Sequence, residues 1–325
     1  MGGQVLARSV GAVNDVDVVS VVVCTAGQRP TLWDLLEHLV ALDDPAFEVI
    51  VVENTRHPRL PVAQLDELGV RHVVERQVGL DAARNRGARE AKGDIVAYVD
   101  DDCQVEPAWL AGVRQGFADP SVALVTGRVL PTSLELPSEQ MFQRWCSWDR
   151  GRLPTRFTAA DDRPSFPASV HHLGTGCNMA FRRTALLELG GFDEALDMGS
   201  LIGGGGDLDL FVRVLDAGHV AAYEPAALVH HLHRQNLHDL RWQVWGYGVA
   251  QGALLAKGIV TRRGLRRDVA RFWGHRMHVK WRQMRGKTGT GIPRRILALE
   301  ILGIAVGPVA YLPSRMHAWV RRHRS

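Results

Sequence analysis

A mixed α/β domain built on a mostly parallel sheet, with helices on both faces, is the fold class this sequence predicts. Three observations carry that reading. Apolar, β-branched runs alternate with segments of helical periodicity through residues 16–100. The order is β-α-β-α-β, which parallel sheets with crossover helices produce. Three of the runs end in polar residues, Cys24-Thr25, Glu53-Asn54 and Asp100 to Asp102, at the carboxyl side of the strands where such sheets bind ligands.

The elements follow in order. "VDVVSVVVCT", 16–25, reads as a first buried strand, and "TLWDLLEHLVAL", 31–42, as a helix that Pro30 is placed to start. "FEVIVVEN", 47–54, is a second strand and "VRHVVER", 70–76, a third. "LDAARNRGAREAKG", 80–93, is a helix ended by Gly93, and "DIVAYVD" a fourth strand. Residues 131–170, rich in Pro, Arg and Trp, read as a long loop over the site. "CNMAFRRTALLELGGFDEAL", 177–196, is a short strand and a helix closed at Gly190-Gly191. Residues 203–236 are a loop, a helix, a strand and a His-rich turn.

The character changes near residue 257. From Lys257 to Ser325 there are 17 Lys and Arg against two acids, a charge of +15, so residues 1–256 carry −11 of the net +4. An acidic globule with a basic tail suggests a tail that meets something anionic. In 262–285, Leu265, Val269, Trp273, Met277, Trp281 and Met284 recur every three to four residues between basic ones, the pattern of a basic amphipathic helix. "ILALEILGIAVGPVAYL", 296–312, is marginal for spanning a bilayer, is interrupted by Glu300 and Pro308, and has Arg on both flanks. It is expected to lie on or dip into a membrane rather than cross it. The domain organisation is therefore 18–256 as the globular unit, in two halves of about 18–130 and about 131–256, with 257–325 as a basic helical, membrane-associating tail.

An apolar content of 46% with 23% charged residues excludes a disordered chain. The four cysteines form no C-x-x-C pair and read as reduced thiols of a cytosolic protein, with neither zinc nor disulfides. The N-terminus has no signal-peptide core and lacks the Ser or Thr that myristoylation needs at the sixth position. No G-x-G-x-x-G follows the first strand, which disfavours a dinucleotide fold. "GKTGTG", 286–291, is no P-loop, because Trp281 stands where the first glycine belongs.

The chemistry centres on Asp100, Asp101 and Asp102. Continued alternation along the strand would put Asp100 and Asp102 on one face and Asp101 on the other. Carboxylates so close repel unless a cation or donors sit between them. Hard oxygen ligands suit Mg²⁺ or Mn²⁺, held together with substrate phosphates. A solvated acidic turn is the plain alternative for this segment. "HHLHRQNLH", 230–238, lacks the partners of a zinc site. His171 and His172 read as a loop pair without function or as pocket-lining residues, and Trp145 and Trp148 as core anchors of the long loop or as stacking platforms for a ligand ring.

The ordered set "VSVVVCT…RP", "EVIVVEN", "GLDAARNRGAREAKGDIVAYVDDD", "GTGCNMAFRR", "GGFDE", "GGDLDLFVRVLDAG" and "VHHLHR" resembles family 2 glycosyltransferases over roughly residues 18–236. The resemblance implies a GT-A-like fold (that of nucleotide-diphospho-sugar transferases), with the helical tail appended, and an inverting, metal-dependent transfer. It implies that Thr25 lines the nucleotide pocket, and that Glu53, where the family usually has Asp, contacts base or ribose. Asp81 and Arg84 would face the nucleotide. Asp100 and Asp101 would orient ribose and sugar hydroxyls, and Asp102 would ligate Mg²⁺ or Mn²⁺ with His231 beside it. Asp207 would be the general base, preceded by Gly206 where the family usually has Glu. Asp209 reads equally as a helix cap or an acceptor contact.

The implied donor is a nucleotide-diphosphate sugar, a UDP-sugar being favoured. The implied acceptor is a hydroxyl of a lipid-linked or cell-envelope glycan, and the setting is cytoplasmic, peripheral on the inner face of the cell membrane. A divalent cation would stabilise the leaving diphosphate. An aspartate of ordinary pKa, about 4, suffices as base if proton transfer comes late. The competing readings are a sugar-nucleotide nucleotidyltransferase and a catalytically silent membrane-docked binding protein. A nucleic-acid partner is not expected, since no such motif accompanies the basic charge.

Overall fold

The computed structural model describes residues 17–27, 29–44, 46–161, 170–197, 200, 202–261, 266–286 and 292–322. The N-terminal segment, Leu265 and most of the 286–291 run lie outside these described residues.

Strand β1 (Val19–Thr25) opens the sheet. Helix α1 (Pro30–Val40) begins on Pro30, whose fixed φ and missing N–H suit a first turn, and buries Leu32, Leu35, Leu36 and Leu39. Then come β2 (Phe47–Asn54), α2 (Val62–Glu67) and β3 (Arg71–Glu75). Helix α3 (Leu80–Glu90) starts after Gly79, which carries no capping side chain. The carboxylate of Asp197 caps it from a distance, accepting from the backbone N–H of Asp81 (3.1 Å) and Ala82 (3.3 Å). Only glycine fits at 79, where φ is 153° and a Cβ would lie 2.0 Å from that carboxylate.

Strand β4 (Ile95–Asp100) leads into β5 (Cys103–Val105), α4 (Trp109–Gly116) and β6 (Val122–Pro131). The 131–170 span, expected as a loop, contains helix α5 (Pro137–Trp145) and strand β7 (Thr155–Phe157). The signal for α5 is at its start: Pro137 opens the first turn, and Glu139 accepts from the Leu136 N–H at 3.0 Å. After β8 (Asn178–Arg182) and α6 (Arg183–Glu188) come α7 (Gly206–Asp216) and β9 (Val220–His231). Three long helices follow, α8 (Leu237–Thr261), α9 (Arg266–Met284) and α10 (Arg294–Arg322). The boundary drawn at residue 257 falls inside α8.

Among the described residues the sheet has nine strands, ordered β3-β2-β1-β4-β8-β6-β9-β5, with β7 on β9. It is parallel from β3 to β4. Beyond β4 it is mixed, with β8 antiparallel to β4 and β6, and β6 parallel to β9. Both faces are covered, which explains the continuous apolar runs. Val19, Val21 and Val23 join the α1 leucines and Trp109 of α4 in one core. Val22 packs with Ala83 of α3 and with Phe211 and Leu215 of α7 in the other. Each fully buried leucine or valine contributes about 2 kcal/mol.

The terminal helices close over this unit. Gly248 and Gly252 of α8 face Gly303 and Gly307 of α10. A Cβ on Gly252 would lie 2.3 Å from the Ile304 carbonyl oxygen, and one on Gly307 2.2 Å from that of Val249. Two small-residue stripes thus let the helix backbones touch. By length and composition Arg294–Val320 is long and apolar enough to cross a membrane, yet 39% of its most apolar window is buried inside the protein. Glu300, within that window, is buried and paired with Lys280 at 2.7 Å and with the Trp145 indole N–H at 2.9 Å.

Candidate active site

The carboxyl ends of β1, β2 and β4 open into a cavity of about 980 Å³. Eight of the nine residues expected at the site line it: Thr25, Asp81, Arg84, Asp100, Asp101, Asp102, Asp207 and His231. Glu53 does not. Its buried carboxylate accepts from the backbone N–H groups of Arg59 (2.6 Å) and Leu60 (3.3 Å) and meets His72 Nε2 at 2.9 Å. Both oxygens are thereby committed to holding the chain after β2, and Asn54 lines the cavity instead.

The three adjacent aspartates do not keep the strand alternation, because the chain turns at Asp101-Asp102. Asp100 faces Arg84 Nη2 at 3.4 Å. Asp101 accepts from the Thr25 hydroxyl at 2.7 Å and shares the Arg29 guanidinium with Asp102, at 3.4 and 3.5 Å. Asp102 also meets His231 Nε2 at 3.3 Å and Arg234 at 3.6 Å. Asp101 and Asp102 are thus the pair that shares a cation, not Asp100 and Asp102.

These contacts separate the carboxyl groups electrostatically. Burial pushes Asp100 up to about 6, against the opposing pull of Arg84. Burial also raises Asp101, against its hydrogen bond from Thr25. Asp102 is buried too, but His231, Arg234 and Arg29 outweigh burial and hold it below the usual carboxylate range. Arg29 and Arg234 were not singled out from sequence, although "RP" and "VHHLHR" contain them. The only local signal was their position just after strands that end at the site.

Arg84 joins the two sides of the cavity. Its guanidinium, 5% exposed, bonds Asp81 Oδ1 (3.3 Å), Asp100 and the Gly176 carbonyl (3.2 Å). The Gly176 N–H donates in turn to Asp207 Oδ2 at 2.8 Å. Asp207 is the second residue of α7, so it lies where a helix presents free N–H groups and the positive end of its dipole. Asp209, two residues on, is taken by Arg213 and Lys257 at 2.8 Å each. Beside His231, the Trp148 ring packs edge-on with the ring centroids 4.7 Å apart, and His233 Nδ1 lies 3.2 Å from His231 Nδ1.

The donor set suits a hard divalent cation that is shared with a ligand. Among the described residues no three His, Cys, Asp or Glu surround one point. Asp102 and His231 supply two donors 3.3 Å apart. The remaining positions would fall to phosphate oxygens and water, as Mg²⁺ and Mn²⁺ sites in phosphoryl-bearing complexes require.

Comparison with known proteins identifies the family and the fold. The family described as Glycosyl transferase family 2 matches residues 20–190. The chain is 33% identical over 162 residues to pre-mycofactocin glycosyltransferase of Mycobacterium tuberculosis, covering 50% of this chain and 32% of that relative. It is 28% identical over 258 residues to succinoglycan biosynthesis protein ExoM of Rhizobium meliloti, covering 74% of this chain and 75% of that one. The match to the mycobacterial relative thus spans about a third of that protein's length. The fold is similar to mannosyltransferase PcManGT from Pyrobaculum calidifontis, solved with GDP-Man and Mn²⁺. The TM-score is 0.53 at 18% identity, over 95% of this chain and 76% of that one.

Proposed function

The chain belongs to glycosyl transferase family 2, and we propose that it moves a sugar from a nucleoside-diphosphate donor to a hydroxyl acceptor, with inversion at the anomeric carbon. The observation that supports this reading is that Asp207 lines the same cavity as Asp100, Asp101 and Asp102 and is linked to Asp100 through Gly176 and Arg84.

In this reading the diphosphate of the donor lies against Asp102, His231, Arg29 and Arg234. A Mg²⁺ or Mn²⁺ ion bound there with Asp102 and His231 supplies positive charge to the leaving diphosphate. Arg29 and Arg234, half and one-third exposed, offer guanidinium groups to the same phosphates. Thr25 holds Asp101 in place by the 2.7 Å bond and so shapes the wall on which the nucleotide rests.

The acceptor oxygen attacks the anomeric carbon on the face opposite the diphosphate. A new C–O bond forms as the bond to the diphosphate oxygen breaks, the electron pair leaves with the nucleoside diphosphate, and the acceptor proton passes to Asp207. Gly176 fixes the orientation of that carboxylate through Oδ2. The basic tail and the apolar outer face of α10 support an anionic membrane surface, on the cytoplasmic side, as the place of work.

Asp207→Asn keeps the shape and removes the base. Turnover should fall about 10²–10⁴-fold with donor affinity unchanged, measured by nucleoside-diphosphate release and by calorimetry. Loss of donor affinity without loss of turnover would remove Asp207 from that role.

A further inference from the structure

The cavity does not end at the donor groups. At about 980 Å³ it stands at the top of the range for one small-molecule site, about 300–1,000 Å³. One face of α8 lines it from Asp239 to Gly258, a length of about 28 Å at 1.5 Å per residue. The loop that leads into α7 and Asp207 abuts the middle of that face: a Cβ on Gly205 would touch Leu254 at 3.2 Å and Ala250 at 3.4 Å. Beyond this point Leu255 of α8 packs against Val269 and Phe272 of α9, and Lys257, which also lines the cavity, is held by Asp193 and Asp209. Exposed apolar residues stand beside that end, Ile259 and Val260 on α8 and Trp273 on α9.

Among the described residues, an uncompensated positive charge lies alongside this arm. Arg150 lines the cavity and, among those residues, bonds only carbonyl oxygens, those of Ser147 (2.6 Å) and His171 (2.9 Å), its buried Nε having no partner there. The nearest acid acting on it, Asp149, is committed to Arg128 through two 2.8 Å bonds. Arg276 reaches Glu300 only at 3.9 Å, and Glu300 is already taken by Lys280 at 2.7 Å. The His171 ring, whose carbonyl Arg150 bonds, lies 6.1 Å from the Phe272 ring, and the Arg276 guanidinium lies 6.0 Å over that same ring, so Arg150, Arg276, Lys280 and Glu300 gather around one part of the cavity. Three cations and one carboxylate leave a charge of +2. Burial lowers His171, beside them, to about 3, so it adds none at neutral pH.

We propose that this arm is the acceptor subsite and that its ligand is a saccharide carried on a lipid-linked phosphate or diphosphate, the saccharide presenting its hydroxyl to Asp207. The anionic group lies against Arg150 and Arg276, and the hydrocarbon chain runs along α8 to Leu255, Val269 and Phe272. An anionic group matches the +2 charge, and a hydrocarbon chain matches the apolar wall and its exposed apolar end. The proposal rests on the transferase reading and names the acceptor class for the same site.

The test uses the full chain and farnesyl phosphate, with farnesol and inorganic phosphate as the two halves of the probe, titrated calorimetrically below micelle formation. Farnesyl phosphate should bind about tenfold or more tighter than either half. Arg276→Gln should weaken it about tenfold, and Ala250→Trp, which fills the arm, should abolish binding. Both variants should keep the wild-type nucleotide affinity and melting temperature. Should Ala250→Trp unfold the chain, Arg276→Gln alone decides. Farnesol binding as tightly as its phosphate, or variants binding farnesyl phosphate like wild type, would overturn the assignment. Nucleotide titration of the same sample separates the two failures. If nucleotides bind and farnesyl phosphate does not, the acceptor assignment falls alone; if no nucleotide binds, the transferase reading falls with it.

Discussion

At the scale of single residues, Gly206 and Asp81 divide one space between them. A Cβ on Gly206 would lie 1.8 Å from Asp81 Oδ2, which is buried with no hydrogen-bond partner. Burial, with the charges of Asp197 and Asp207, pushes the Asp81 carboxyl well above its usual range. Gly206 therefore leaves room for a carboxylate arriving from α3. Gly206→Ala should destabilise the fold by about 1–3 kcal/mol through overpacking. Adding Asp81→Ala should cancel most of that loss, giving a coupling of about 1 kcal/mol or more in a urea-melt double-mutant cycle. Strictly additive effects would contradict the shared space. The glycine was legible in the sequence as a departure from a pattern. Its reason was not, because the partner is remote along the chain and only the tertiary structure brings the two together. Glu53 shows the converse. Its place at a strand end was legible, but which way its carboxylate turns depends on Arg59, Leu60 and His72.

At the scale of elements, β1, β2, β4, α1 and α3 were legible because each carries a strong local signal, a buried apolar run or a periodic face with Pro30 or Gly93 at its edge. Helix α8 carried none. Its faces pack on α10 through Gly248 and Gly252 and line the cavity with Gly246, Ala250 and Leu254, so neither face reads as polar. Helix α10 runs through Pro308 and Pro313, which the sequence marks as interruptions. Its contacts with α8 hold it together across them. Its outer side exposes Leu302, Val306, Val309, Leu312, Met316 and Trp319 in one helical stripe. A stripe of that kind on a chain with a basic C-terminal region suits an anionic interface. The protein should float with anionic liposomes at low salt, and Val309→Glu with Met316→Glu should abolish flotation. Flotation unchanged by these charges would place the membrane contact elsewhere.

At the scale of the whole molecule, the charge split between residues 1–256 and 257–325 is real in sequence but is not a split in structure. The basic helices α9 and α10 close over α8 and contribute Val269, Phe272, Arg276, Lys280 and Glu300 to the same cavity that the strand ends open into. The strand-end side of the cavity was legible because its groups cluster where parallel topology makes their meeting predictable. The arm along α8 was not, since its residues come from separate helices whose packing no local pattern announces. The proposed transfer requires this cavity to hold a nucleoside diphosphate through a metal bound at Asp102. Its most direct test is calorimetric titration of the full chain with UDP, GDP and dTDP, each with and without Mn²⁺, on wild type and Asp102→Ala. The account predicts that at least one nucleotide binds, that binding requires Mn²⁺, and that Asp102→Ala lowers affinity about tenfold or more. Binding indifferent to both metal and Asp102, or no binding under any condition, would contradict it.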